Sequence, residues 1–341
     1  MTLIDMADET AKIQILDIPN LVQSFIENHF SKVKDMGYNT SDPYYQNLLK
    51  DPIRNYFKIS NNTSFFVGAG VTELFRTLLY IFNTGRVIGV AHQFTPFIDY
   101  LKIVGNDYTA VQNSDFSFPL EELLNKIDNT PNCSFVILER PMKFSGDCCS
   151  LLDLSRILSG ALHHGLYVLV DESYANYIPL EESSIKLLDF FHNLIVLRSN
   201  AKAFNLGGIR TGILFTSSLD MTQKLRYYCR PYSPDIFSVN FFAYHLKMGR
   251  DLINKLIIFT DELKRKVMFG LSSRGYQYLP THRSVPIICI YNKSFDVNQY
   301  FEDAFVKTSN YNYNVSINGH SLCRIRIPYN VDVLNQFVRI L

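Results

Sequence analysis

The sequence predicts an α/β protein with two units. The larger carries a mostly parallel sheet covered by helices on both faces, the smaller is a C-terminal α+β domain, and an N-terminal arm joins them. Three observations predict this. The chain has 341 residues, and at roughly 150 residues per domain that suits two domains or one large unit with a smaller one appended. Between about residues 64 and 220, short apolar runs without strict alternation are separated by helical patterns, the signature of strands buried on both faces. Beyond residue 235 the pattern turns to longer helices with two short apolar runs between them.

Taken in order, residues 20–35 place Leu21, Phe25, His29, Phe30 and Val33 on one helical stripe, ahead of a polar turn from Gly37 to Pro43. The large unit then reads as SFFVGAG, a helix through TELFRTLLYIF, RVIGVA, a helix through FIDYLKIVG, and SFVILERP. A helix near LLDLSRILSGALHHG follows, then YVLVDES, NLIVLRSN and TGILFTS. The last unit reads helix, strand VPIICIYN, helix, strand LCRIRIP, helix. The expected boundaries are 1–43 for the arm and its helix, 44–235 for the large domain and 236–341 for the small one. No Pro/Gly/Ser-rich tether separates the domains, so they are expected to share an interface.

Composition excludes several function classes. Lys and Arg number 33 against 32 Asp and Glu, a net charge of +1, which leaves no field to draw in nucleic acid or an anionic membrane. No apolar run approaches the roughly 18 residues of a membrane span. The start of the chain carries Asp5, Asp8 and Glu9 instead of a basic segment followed by an apolar one, so no secretory signal is expected and the expected location is cytoplasmic. The sequons at Asn39 and Asn314 are then chance matches. Six cysteines without a CxxC pair suit buried free thiols better than a zinc site or a disulfide framework.

Three strand ends carry polar groups, and open α/β sheets bind ligands at the carboxyl ends of their strands. Gly68-Ala69-Gly70-Val71-Thr72-Glu73 is a glycine turn running into a helix, either a phosphate cradle or a purely structural turn. Asp171 closes YVLVD, with Tyr174 three residues on; the acid either faces a cation or caps the next element. Ser199 closes another apolar run ahead of Lys202, two glycines and Arg210, and Lys202 is either an amine nucleophile or a solvated surface lysine. Together they supply a phosphate cradle, an acid for a pyridinium nitrogen, a phenol, a Schiff-base lysine and a second phosphate cation, the parts of a pyridoxal phosphate site.

At this point the sequence resembles the fold-type I, class I/II aminotransferases, and among them the histidinol-phosphate aminotransferase group, over roughly residues 36 to 340. The family's S-x-x-K with an arginine eight residues later matches Ser199, Lys202 and Arg210, and its D-x-x-Y matches Asp171 and Tyr174. The resemblance implies pyridoxal 5'-phosphate as cofactor, with Lys202 forming the internal aldimine and moving the proton between substrate Cα and C4′. Asp171 would keep the ring nitrogen protonated, Tyr174 would donate to O3′, and Ser199 and Arg210 would hold the phosphate. The same resemblance puts Gly70, Val71 and Thr72 at the phosphate turn, Phe94 on the pyridine face unless it is core, and Arg326 on the substrate carboxylate. Arg324 lies on the same strand face as Arg326. Tyr44, or equally Tyr45, would reach the phosphate of a neighbouring subunit, which implies a homodimer.

One segment departs from the family. N-P-x-N-P-x-G appears as Arg140-Pro141-Met142-Lys143-Phe144-Ser145-Gly146, so Lys143 stands where an asparagine donates to O3′. Lys143 would alter the cofactor's electronics or turn outward to a substrate acid, and both Lys143 and Arg140 also fit a solvated loop. Transamination of an amino acid against a 2-oxo acid is the leading expectation, passing through a pyridoxamine phosphate form. A decarboxylase, lyase or oxidase on the same scaffold, or a non-catalytic cofactor-binding regulator, are the alternatives. The aromatics Tyr227, Tyr228, Tyr232 and Phe237 fit core or dimer packing slightly better than a bulky-substrate wall.

Overall fold

The computed structural model describes residues 3–7, 18–33, 40–204, 206–309, 316–317 and 319–341. Asp8, Glu9, Gly37 and the sequon asparagines Asn39 and Asn314 lie outside the described residues. In chain order the elements begin with β1 (Ile4–Asp5), α1 (Ile18–Asn28), α2 (Gln46–Phe57), β2 (Ser64–Gly68), α3 (Val71–Ile81), β3 (Arg86–Val90) and α4 (Thr95–Ile103). They continue with β4 (Asp107–Val111), α5 (Leu120–Asn129), β5 (Cys133–Glu139), α6 (Leu151–His163), β6 (Tyr167–Glu172), β7 (Leu194–Ser199), β8 (Gly212–Thr216) and α7 (Leu219–Tyr228). The remainder is α8 (Ile236–Ser273), β9 (Gln277–Tyr278), β10 (Ile287–Tyr291), α9 (Val297–Asp303), β11 (Val306–Lys307), β12 (Ser316–Ile317), β13 (His320–Ser321), β14 (Cys323–Arg326) and α10 (Val331–Ile340).

Seven strands form the main sheet in the order β2-β8-β7-β6-β5-β3-β4. Strand β8 runs antiparallel to β2 and β7, and the other pairs are parallel. Alternate residues feed two cores, as the period of two in a strand requires. Phe66, Ile137, Leu169, Leu197 and Leu214 face α3, α4 and α7, while Val67, Val136, Val168, Val196 and Ile213 face α2, α5, α6 and the first half of α8. Burial on both faces explains why these strands lack polar alternation. The strand β4 was not expected from the sequence; its residues DYTAV are mostly exposed or half-buried at the sheet edge, so no apolar run marks it.

The 38-residue helix α8 belongs to both units. Its N-terminal half packs Val239, Phe242 and Leu246 onto the sheet, and its C-terminal half packs Leu256, Leu263, Val267 and Leu271 beside β10 and β14. The arm is tied to the C-terminal unit: β1 pairs in parallel with β11, and Phe25 of α1 packs edge-on to Phe237 and Phe241 of α8. Tyr174, Tyr177 and Phe204 share the same core as β10 and β14, so the loops after β6 and β7 are held between the units. Among the described residues no helix is long and apolar enough to cross a membrane. The six cysteines are free thiols, four of them buried.

Candidate active site

The carboxyl ends of β2, β5, β6 and β7, with the turn entering β8, enclose a cavity of about 340 Å³. Gly70, Val71, Thr72, Phe94, Lys143, Asp171, Tyr174, Ser199, Lys202 and Arg210 all line it. Two expected residues, Tyr44 and Arg326, are not in this lining.

The anion end is built from backbone. Helix α3 opens at Val71 behind Gly70, whose φ of 88° suits glycine, and no side chain caps its first turn. Its N–H groups therefore face the cavity with the positive end of the helix dipole. Arg210, itself at φ 53°, crosses Gly70 so closely that a Cβ there would lie 2.5 Å from Nη2. Glu73 folds back and accepts from the Ala69 amide at 2.5 Å and the Ser233 hydroxyl at 2.7 Å, securing the turn from below. Ser199 closes β7, where its Oγ accepts from the Ala201 amide at 3.1 Å.

Opposite lies an acidic floor. Asp171 Oδ1 accepts from the amide of Ser173 at 2.9 Å and from its hydroxyl at 2.5 Å. Burial raises the Asp171 carboxyl above its ordinary range, and the two Ser173 bonds and Lys143 pull it back down. The capping alternative is not what this acid does, since the short helix Ala175–Tyr177 has Tyr174 at its cap and no side-chain cap bond. Lys202 Nζ stands 5.9 Å from the centre of the Tyr174 ring. The Lys202 carbonyl accepts from Tyr177 Oη at 3.1 Å, and Tyr177 Oη accepts from Arg326 Nη2 at 2.7 Å. Arg326 is thus buried and linked through one hydroxyl to the Lys202 backbone carbonyl. Arg324, on the same strand, donates instead to the Lys143 carbonyl at 3.1 Å and to Ser309.

The solvated-loop alternative fails for Arg140. Glu172, fully buried, bonds Arg198 at 2.9 Å and the hydroxyls of Ser183 and Ser184 at 2.6 Å each, with Arg140 3.7 Å away. Burial alone would raise Glu172, but the two guanidiniums and the hydroxyls hold it below the usual carboxylate range. Arg198 reaches on to Asn176 at 2.7 Å, and Asn176 donates to the Ser199 carbonyl at 2.8 Å, so this ionic cluster braces the strand ends that carry Asp171 and Ser199.

Sequence reasoning missed Glu139 and Ser173. Glu139 closes β5 as Asp171 closes β6, and an acid ending the apolar run SFVILE is the same signal. Its oxygens accept the Phe94 amide at 2.5 Å and the Lys143 amide at 2.9 Å. Burial and the neighbouring Asp171 push its carboxyl up to about 7. Of the two tyrosine candidates, Tyr45 is buried in the sheet core, while Tyr44 is half-buried against the other core with its hydroxyl on the Arg226 carbonyl at 2.9 Å.

Residues 8–247 match the family model of class I and II aminotransferases. The chain belongs to this family. It is 24% identical over 284 residues to the histidinol-phosphate aminotransferase of Caldanaerobacter subterraneus subsp. tengcongensis, covering 82% of this chain and 78% of that one. The crystal structure of the histidinol-phosphate aminotransferase from Clostridium acetobutylicum superposes with a TM-score of 0.83 at 17% identity, over 99% of this chain and 98% of that one. A PLP-bound C-S lyase from Staphylococcus hominis superposes with a TM-score of 0.74 at 14% identity, over 99% and 93%. As a member of this family the chain is a PLP-dependent transferase. The cavity fits that cofactor: the uncapped α3 terminus with Arg210 across Gly70 suits a phosphate, and the buried Asp171 suits a protonated ring nitrogen.

Proposed function

We propose that this aminotransferase passes the amino group of an amino acid to a 2-oxo acid, with Lys202 as the residue that carries the cofactor and shuttles the substrate proton. The observation behind this is the meeting of Lys202, Asp171, Tyr174, Ser199 and Arg210 with the Gly70 turn around one cavity, from the carboxyl ends of β2, β6 and β7. Bound pyridoxal phosphate supplies an electron sink that acidifies the substrate Cα–H. Ser199, Arg210 and the amides of Val71 and Thr72 hold the phosphate, and Phe94 flanks the ring. Asp171 keeps the ring nitrogen protonated, and Tyr174 donates to the ring oxygen. Lys202 Nζ would take the proton from the substrate Cα and deliver it to C4′ of the cofactor. Arg326 is the carboxylate anchor, supported by its burial beside Tyr177.

A homodimer accompanies this reading, and it is supported by exposed apolar side chains on one flank. Leu219, Tyr227, Ile103 and Tyr80, on α7, α4 and α3, are 79%, 83%, 76% and 65% exposed, and Tyr44 adjoins them through Arg226. Sedimentation velocity with Tyr227→Glu tests the interface. The cytoplasm remains the proposed location.

The deciding experiment incubates the purified protein with pyridoxal phosphate, scans for a visible band, and adds amino acids one at a time. Loss of the band with release of a keto acid is expected. A second reading, lysis of a Cα or Cβ bond, fits the ammonium of Lys143 in the cavity, and carbon dioxide, or an eliminated fragment released together with ammonia while the visible band persists, would establish it.

A further inference from the structure

Glu139 closes β5 and Lys143 lies four residues on in the turn that follows, and the two are joined with Phe94 in one unit. The two carboxylate oxygens of Glu139 each accept a separate backbone N–H, one from Phe94 and one from Lys143. With one amide on each oxygen, the carboxyl group is fixed in a single orientation between the two segments. The Lys143 ammonium lies 3.7 Å from the centre of the Phe94 ring. Glu139 is also the register partner of Asp171 on the adjacent parallel strand. Two acids therefore end side by side at the cavity floor, and two like charges there need a cation. Lys143 is that cation, standing where the family pattern carries a neutral amide.

We propose that Glu139 is a positioning residue that seats Phe94 and Lys143 and balances the Lys143 ammonium, so that the charged pair replaces the neutral asparagine of the family pattern without adding net charge beside the cofactor. This rests on the cofactor reading given above. The pair explains the departure in the N-P-x-N-P-x-G segment as an exchange of one neutral donor for two compensating charges. It also explains why an acid closes β5.

The test is a double-mutant cycle read spectroscopically. Wild type, E139Q, K143N and the double variant are loaded with pyridoxal 5'-phosphate, and the pH midpoint of the visible band is recorded for each. In E139Q the lysine charge acts uncompensated on a group that carries a proton, so the midpoint falls by about one unit. In K143N the carboxylate is left alone and the midpoint rises by a similar amount. The double variant returns to within about 0.3 units of wild type, because both charges are gone. Shifts of the same sign, or none beyond about 0.2 units, overturn the pairing. Should E139Q fail to fold, E139A takes its place in the same cycle and the same signs decide. A wild-type protein that forms no visible band overturns the cofactor reading and this proposal with it, whereas a normal band that ignores both substitutions overturns the pairing alone.

Discussion

Gly212 at the start of β8 and Gly70 at the end of the first turn touch backbone to backbone. A Cβ on Gly212 would lie 2.6 Å from the Gly70 carbonyl carbon and from the Val71 amide nitrogen. Neither atom can retreat as a flexible side chain would. Gly212→Ala is therefore expected to pry the turn open and weaken pyridoxal phosphate binding at least about tenfold, roughly 1.4 kcal/mol. A fluorescence titration of the apoprotein checks this; unchanged affinity would show that the turn does not hold the phosphate.

Lys202 is the amine that lines the cavity beside Tyr174. Lys202→Ala should abolish the cofactor-linked visible band and slow turnover at least about a thousandfold. Single-turnover assays with keto acid detection measure it. Retained turnover would remove Lys202 from the chemistry.

Ser173 gives Asp171 two of the bonds that counter the rise caused by burial. Ser173→Ala removes the hydroxyl and leaves Asp171 protonated at higher pH. The acid limb of cofactor binding and of kcat should then move to higher pH, with Ser173→Thr restoring it. An acid limb that stays in place would mean another group sets it.

Glu172 satisfies two buried guanidiniums, so removing its charge leaves both without a counterion. Glu172→Gln is expected to cost about 3 kcal/mol or more, read by urea unfolding. A loss under about 1 kcal/mol would mean that Arg140 and Arg198 find other partners.

His245 on α8 is 1% exposed, packs edge-on against Phe204 at 4.0 Å, and among the described residues has no hydrogen-bond partner on either ring nitrogen. Burial lowers it from its ordinary 6.5 to about 4. The unfolded chain then binds more protons between those values, so stability present above pH 6.5 is lost as pH falls toward 4. The loss is roughly 3 kcal/mol. His245→Leu should lack it, and the variant's stability relative to wild type should improve by that amount from pH 7 to pH 4. Parallel unfolding profiles for the two proteins would refute this.

Much of the site was legible because its parts are local. Ser199, Lys202 and Arg210 follow one strand end, Asp171 and Tyr174 another, and a strand ending on a polar group announces itself in one dimension. Glu139 was not read, although it carries the same mark, because its meaning depends on Asp171 being its neighbour across the sheet. The solvated-loop alternative for Arg140 stayed open because its partner Glu172 ends β6, a strand apart in the chain.

By itself, then, the sequence determined the α/β class, the split between a sheet unit and a C-terminal unit, and the chemical identity of the residues at each strand end. Those follow from apolar periodicity and chain adjacency. Only the tertiary structure decided that β8 reverses direction between β2 and β7, that α8 is shared by both cores, and that Arg326 reaches Lys202 through Tyr177. Strand order and buried charge pairing are set by hydrogen-bond register and by the cost of burying an unpaired ion, and both act between residues distant in the chain.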